Sequence, residues 1–109
     1  MREPTFLILT ALAGPPLHGY GVLRQVAGLS ADRVKLSAGT LYAALDRLAE
    51  DGLIEVDREE TVDGRVRRYY RLTPRGSDAL RTEAARLRDN ADAATARLAG
   101  WARRPVPGT

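Results

Sequence analysis

A mainly α-helical fold with one small β-hairpin is predicted by three features of this 109-residue sequence. Before residue 53, three stretches carry apolar residues at helical spacing, and the first of them, residues 6–12, is apolar nearly all round. Residues 54–72 alternate like two paired strands around an Asp63-Gly64 turn. Residues 74–102 then repeat apolar residues every three or four positions, as a long helix does.

The second helix is predicted from about Gly19 to Ala27. Tyr20, Leu23 and Val26 recur there at helical spacing. Gly28 follows the last of these residues and is predicted to end the helix, since glycine is the usual residue just after a helix. A loop should then lead to the third helix.

The third helix is predicted to begin after Ser37, a good N-cap, and to end at Gly52. Leu41, Leu45 and Leu48 form its buried stripe. The opposite face carries Gly39, Thr40, Ala43, Asp46, Arg47 and Glu50. Small residues in its first half let a backbone approach base edges and phosphates closely, and Tyr42 beside it can offer a hydroxyl to a phosphate. The alternative is a neutral solvated surface.

The hairpin carries a cluster of four arginines, Arg65, Arg67, Arg68 and Arg71, within seven positions of its second strand. Acidic residues occupy the first strand, so one interpretation is a lattice of cross-strand ion pairs. The other is a basic ridge that contacts phosphates, with Arg65 and Arg67 free at the tip. Both interpretations remain open.

The last helix should begin at Pro74, capped by Thr73, and run to near Trp101. At 1.5 Å per residue it is roughly 40 Å long, more than the rest of the chain can cover. Its seam therefore predicts a second copy as partner, or else a helix folded back on its own domain. The predicted dimer-interface residues are Leu80, Ala84, Leu87, Ala91, Ala94, Leu98 and Trp101.

This order of elements predicts a winged helix-turn-helix with a long C-terminal dimerisation helix. The expected divisions are a DNA-binding domain over residues 1–73, the dimerisation helix over residues 74–102, and a disordered tail over residues 103–109. A two-fold dimer would present two recognition helices about 34–36 Å apart, so the expected partner is double-stranded DNA with a pseudo-palindromic operator. The alternative function is a winged helix that binds protein and not DNA.

Other classes of function are poorly supported by the composition. With no cysteine and one histidine, His18, a metal site or a nucleophile–base pair is not expected, so we expect neither an enzyme nor a cofactor. The absence of cysteine, of a secretory signal pattern and of a membrane-length apolar run favours a cytoplasmic protein without membrane contact.

Three segments carry a resemblance to a known family. They are Pro16-Leu17-His18-Gly19-Tyr20, then Leu36-Ser37-Ala38-Gly39-Thr40-Leu41-Tyr42 running on to Gly52-Leu53-Ile54, then Arg67-Arg68-Tyr69-Tyr70-Arg71-Leu72-Thr73-Pro74-Arg75-Gly76. Together, over about residues 5–98, they resemble the PadR family of bacterial transcriptional regulators. The resemblance implies a homodimeric repressor that a small-molecule effector releases from DNA. It also implies a short-form member with a single C-terminal helix.

The site residues follow from the pattern and the resemblance together. The predicted DNA-binding residues are Tyr20, Lys35, Ser37, Gly39, Thr40, Tyr42, Arg47, Arg65, Arg67 and Arg68. Many relatives have proline at the positions of Ala38 and Ala43, a departure that bears on the start of the helix and on the DNA sequence it reads. Where multidrug-responsive relatives have a ligand-stacking tryptophan, this chain has Leu87. Trp101, two heptads further along, is expected to anchor the interface, with effector binding as the alternative.

Overall fold

The computed structural model describes residues 1–106 and contains four helices and three strands within that range. In chain order these are α1 (Glu3–Leu12), β1 (Leu17–His18), α2 (Gly19–Leu29), α3 (Ala38–Glu50), β2 (Ile54–Val62), β3 (Arg65–Leu72) and α4 (Pro74–Ala102). The mainly α fold with a small sheet is confirmed. Residues 103–106 add no helix or strand, and the rest of the predicted tail, residues 107–109, lies outside the described residues.

One apolar core joins the first three helices to the base of the sheet. Its members are Leu7, Ile8, Leu9, Leu12, Val22, Val26, Leu41, Leu45, Leu48, Ile54 and Tyr70. The predicted stripe of α3 is buried as expected, because its leucines recur on the one face that meets α1 and α2. Burial of this stripe turns the opposite face of α3 outward.

The prediction for the end of α2 was wrong. The helix continues through Gly28 to Leu29, and Ser30 follows as the C-cap. The Ser30 hydroxyl, which is buried, donates to the Val26 carbonyl at 2.9 Å and accepts from the Val34 N–H at 3.0 Å. These bonds satisfy the end of the helix and the following loop, so no glycine is needed there.

The sheet has three strands in the order β1-β3-β2, whereas a two-stranded hairpin was expected. Leu17 pairs with Tyr70 and His18 pairs with Tyr69, both antiparallel. Strand β1 has two residues, too few to show an alternating pattern, and it forms because β3 offers a free edge. The predicted turn is confirmed, since Asp63 and Gly64 both have positive φ, 52° and 77°. The antiparallel pair β2–β3 forms the wing.

Helix α4 is anchored at its start and projects at its end. Thr73 Oγ1 accepts the Gly76 N–H at 3.0 Å and donates to the Gly52 carbonyl at 2.6 Å, which confirms the predicted cap. Leu80 packs against the core, but every residue from 85 to 102 is exposed. The helix therefore does not fold back on its own domain. At 29 residues it is about 43 Å long, and within residues 1–106 neither it nor another helix is apolar enough to cross a membrane.

Candidate nucleic-acid interface

An open cleft of about 980 Å³ separates α3 from the wing. Five of the ten predicted DNA-binding residues line it: Tyr20, Tyr42, Arg65, Arg67 and Arg68. Side chains from α2, α3 and β3, which are distant in the sequence, are thus brought to one surface. The cleft combines hydroxyls, aromatic rings and cations, the groups that contact the phosphates and sugars of nucleic acid.

Tyr42 reaches the cleft from the side of α3 and rests on the start of α2. A Cβ at Gly19 would lie 2.5 Å from the Tyr42 hydroxyl and 2.8 Å from its ring, so the absence of a side chain there allows this contact. Tyr42 is half exposed, at 50%, and Tyr20 is exposed at 65%. The Tyr42 hydroxyl is therefore held beside the N-terminus of α2, the end of a helix that favours an anion.

The start of α3 holds three more predicted residues outside the cleft. Ser37 Oγ accepts the Thr40 N–H at 3.1 Å and donates to Thr40 Oγ1 at 2.9 Å. The hydroxyl of Ser37 is thus occupied by capping, while Thr40 keeps its own hydroxyl proton to donate outward. Gly39 is exposed, and a Cβ there would meet nothing within 4 Å. This end of α3 is smooth, as predicted.

Two predicted cations lie apart from the cleft. Lys35 is exposed in the loop before α3, and Arg47 is exposed on the edge of α3 that lies away from Tyr42. All ten predicted residues are therefore exposed. They lie on both edges of α3, on the segments beside it and on the wing. Their contact with DNA remains a prediction.

The arginines of the wing divide into two groups. Arg68 Nε lies 3.2 Å from Glu59, and Arg71 lies 3.0 Å from both Glu55 and Asp57, so the cross-strand lattice exists. The hydrogen bond between Arg68 and the Tyr70 hydroxyl, followed by the charge of Glu59, raises the pKa of Arg68.

Near the tip the pattern changes. Arg65 and Arg67 form no ion pair with any residue that the structure describes, and both are exposed. The lattice interpretation therefore holds for Arg68 and Arg71, while phosphate contact by Arg65 and Arg67 stays a prediction. The lattice ties the two strands together at the base of the wing, and two arginines without an ion pair remain near its end, Arg67 opposite Glu60.

One feature of the site was missed at the sequence level, a row of stacked side chains on the outer face of the sheet. The His18 ring stacks on the Tyr69 ring with 5.3 Å between the ring centres, and the Arg58 guanidinium carbon lies 3.9 Å from the centre of the same Tyr69 ring. His18 Nδ1 also accepts the Gly21 N–H at 2.9 Å and so caps α2. His18 was noted in the Pro16–Tyr20 segment, but its contact with Tyr69 could not be predicted, because it depends on the pairing of β1 with β3.

The predicted interface residues lie along one face of α4. Leu80 and Ala84 are partly buried by the domain, while Leu87, Ala91, Ala94, Leu98 and Trp101 are exposed. Leu98 is 63% and Trp101 66% exposed, which is high for large apolar side chains. Within residues 1–106 no group of three or more His, Cys, Asp or Glu side chains is placed to hold a metal ion.

These elements define the class of the protein. A helix-turn-helix formed by α2 and α3, followed by a two-stranded wing, is a winged helix-turn-helix. The particular family follows from comparison with known proteins: residues 8–82 match the transcriptional regulator PadR-like family, and the chain belongs to that family. The resemblance noted in the sequence is thus confirmed.

Individual relatives agree with this assignment. The chain is 44% identical over 73 residues to "Transcriptional regulator Rv3488" of Mycobacterium tuberculosis, a match that covers 67% of this chain and 64% of that protein. It is similar to the crystal structure of a PadR family transcription regulator from Clostridium difficile R20291, with TM-score 0.74 and 27% identity, over 89% of this chain and 99% of the other.

A third comparison concerns the fold alone. The chain is similar to the structure of Bacillus subtilis PadR in complex with operator DNA, with TM-score 0.65 and 21% identity, over 99% of this chain and 53% of that one. The chain therefore spans about half of that structure and 64% of the mycobacterial relative.

Proposed function

We propose that this member of the PadR-like family is a sequence-specific DNA-binding regulator that acts as a homodimeric repressor and is released by a small-molecule effector. The observation that carries the proposal is the cleft between α3 and the wing, with Tyr20 and Tyr42 at one side and the exposed Arg65 and Arg67, which form no ion pair with a described residue, at the other. Hydroxyls and free arginines placed around a groove suit a phosphodiester strand. The fold shared with Bacillus subtilis PadR, whose structure includes operator DNA, supports the same partner.

In this proposal α3 enters the major groove by its smooth N-terminal end. Gly39 and Thr40 would approach base edges, while Tyr42 contacts the backbone that borders the groove. Arg65 and Arg67 would reach the adjacent backbone or minor groove from the wing. Phosphate contacts of this kind determine the affinity and the register of the protein on DNA, and base contacts determine which DNA sequence it prefers.

Two further parts of the proposal rest on α4. Its exposed seam is the candidate dimer interface, and Trp101 on that seam is expected to anchor the interface, with an effector site as the alternative role. Repression is the expected effect, because the described elements are those of one winged helix-turn-helix and one long helix, and no separate activation surface is evident among them.

The proposal is tested by selecting bound DNA from a random pool with purified protein at about 100 mM salt. An inverted repeat with half-sites one helical turn apart is expected. Affinity for the selected site should fall about 10³–10⁵-fold between 50 and 200 mM salt if roughly 6–10 phosphates are contacted. Recovery of no sequence, with flat salt dependence and no co-purified ligand by mass spectrometry, would instead favour a protein-binding winged helix.

A further inference from the structure

Two carboxylates line the cleft together with its cations: Asp63 in the turn of the wing and Asp46 on α3. Asp46 lies on α3 one turn after Tyr42, is exposed, and lines the same cleft as Arg65, Arg67 and Arg68. Its side chain forms no ion pair or hydrogen bond with any other described residue. The charge is therefore directed into the cleft and is not neutralised by a neighbour.

The position of Asp46 on α3 determines which part of a bound DNA its side chain would face. At 100° per residue, Asp46 lies on the edge of the exposed face that borders the wing, and the next residue, Arg47, lies on the opposite edge. In the proposed binding mode α3 lies in the major groove, and the sugar–phosphate strand that borders this groove lies in the cleft between α3 and the wing. A side chain that faces the wing across the cleft therefore faces phosphates and not base edges, a step that rests on the proposed function.

We propose that Asp46 is an affinity-limiting residue: its carboxylate repels the phosphate strand that enters the cleft and weakens binding to all DNA sequences alike. The repulsion between this carboxylate and a phosphate about 6 Å away would lower the affinity about threefold at an effective dielectric constant of about 80 and about tenfold at about 40. Phosphates are the same in every sequence, so the repulsion leaves the preferred site unchanged.

The test compares the whole protein with its Asp46→Asn variant, which keeps the size of the side chain and removes its charge. Affinity is measured for the selected operator and for random DNA of equal length, each at 50, 100 and 200 mM salt. Asp92→Asn is the matched control, because Asp92 is an exposed carboxylate on the distal half of α4 and its replacement changes the net charge equally.

We expect Asp46→Asn to bind both DNAs about threefold to tenfold more tightly at low salt, with a smaller gain at 200 mM because salt screens the repulsion. Asp92→Asn should show less than half of that gain. An unchanged affinity would overturn the inference, and weaker operator binding with an altered base preference would overturn it in favour of base reading. In both cases the wild type still binds DNA. If the wild type binds no DNA, the proposed function fails, and the inference fails with it.

Discussion

At the scale of single residues, two positions in the first third of α4, Gly76 and Glu83, hold this helix against the rest of the chain. Gly76 is buried, and a Cβ built on it would overlap the carbonyl oxygen of Leu53. The buried Glu83 carboxylate accepts hydrogen bonds from Arg86 Nε and Nη2, each at 2.7 Å, and lies 3.5 Å from the amino group of Met1. Each position yields a prediction about stability.

Gly76→Ala should destabilise the protein by about 1–3 kcal/mol, because the added methyl group forces α4 away from Leu53. Gly100→Ala is the control, since nothing lies within 4 Å of a Cβ there. In the last turns of α4 that change should be neutral or stabilise by up to about 1 kcal/mol. Urea unfolding at equal protein concentrations measures both, and equal effects would contradict the close approach.

The carboxylate of Glu83 predicts a dependence of stability on acid pH. Its hydrogen bond with Arg86, aided by the charges of Arg86 and of the Met1 amino group, lowers its pKa from 4.5 to about 2. A carboxylate whose pKa is lowered on folding contributes stability above the unfolded value and loses it as the pH falls through the folded value. This contribution should therefore be full above about pH 4.5 and disappear towards pH 2.

Glu83→Gln should accordingly be less stable than the wild type at pH 7, and the difference between their free energies of unfolding should shrink between pH 4.5 and pH 2. Asp78→Asn serves as the control, because Asp78 pairs with Arg81 on the exposed surface, where an ion pair contributes little. A difference that stays constant across this pH range would refute the assigned role of Glu83.

At the scale of elements, the wing combines a stiff base with a cationic tip. The ion pairs of Arg68 and Arg71 with acids of β2 tie the two strands together near the domain. A register shift between Val56 and Arg58 bends β2 at the same level. Beyond it, Arg65 and Arg67 extend from a tight turn. The wing can therefore present two cations at a defined distance from α3.

Replacing Arg65 and Arg67 together by alanine should weaken binding to all DNA sequences and flatten the salt dependence by about one logarithmic unit for each phosphate that the variant no longer binds. The pair Arg103 and Arg104, exposed after α4, is the matched control because its replacement changes net charge equally. We expect the control to keep the wild-type slope in a filter-binding or fluorescence titration. An unchanged slope in the wing variant would mean that the wing does not touch DNA.

At the scale of the whole molecule, the chain measures 72 Å in its longest dimension, because α4 extends far beyond the helical core. Its distal half exposes an apolar seam that a single copy leaves in water. A second copy packed along the same seam would bury Leu98 and Trp101, and the two-fold axis would set the spacing of two α3 helices. The division into a DNA-binding domain and a dimerisation helix follows from this arrangement and remains a prediction.

Leu98→Asp should break the predicted dimer, since a charge would replace a large apolar side chain of the seam. The fold of each copy should persist, because Leu98 is 63% exposed in the single chain. Ala96→Asp, on the far side of α4, should leave the dimer intact. Sedimentation at micromolar concentration distinguishes them, and a dimer that survives in the Leu98 variant would disprove the seam assignment.

Much of the molecule could be predicted from local patterns. The cap at Ser37, the stripe through Leu41 and Leu45, and the Asp63-Gly64 turn depend on interactions a few residues apart, and all three were confirmed. The heptad spacing of α4 likewise follows from neighbours along one helix. Periodicity and capping record such short-range physics directly, so the order and type of the main elements could be derived without coordinates.

Features that depend on distant segments could not be derived in this way. Strand β1 exists because β3 offers an edge, and the cleft exists because α2, α3 and the wing meet there. The division of the arginines into paired Arg68 and unpaired Arg65 depends on the register of β2 against β3. By itself the sequence determined the four helices, the hairpin, the buried face of α3 and the family. The tertiary structure decided which charges meet, because contacts between distant residues arise only when the core brings the elements together.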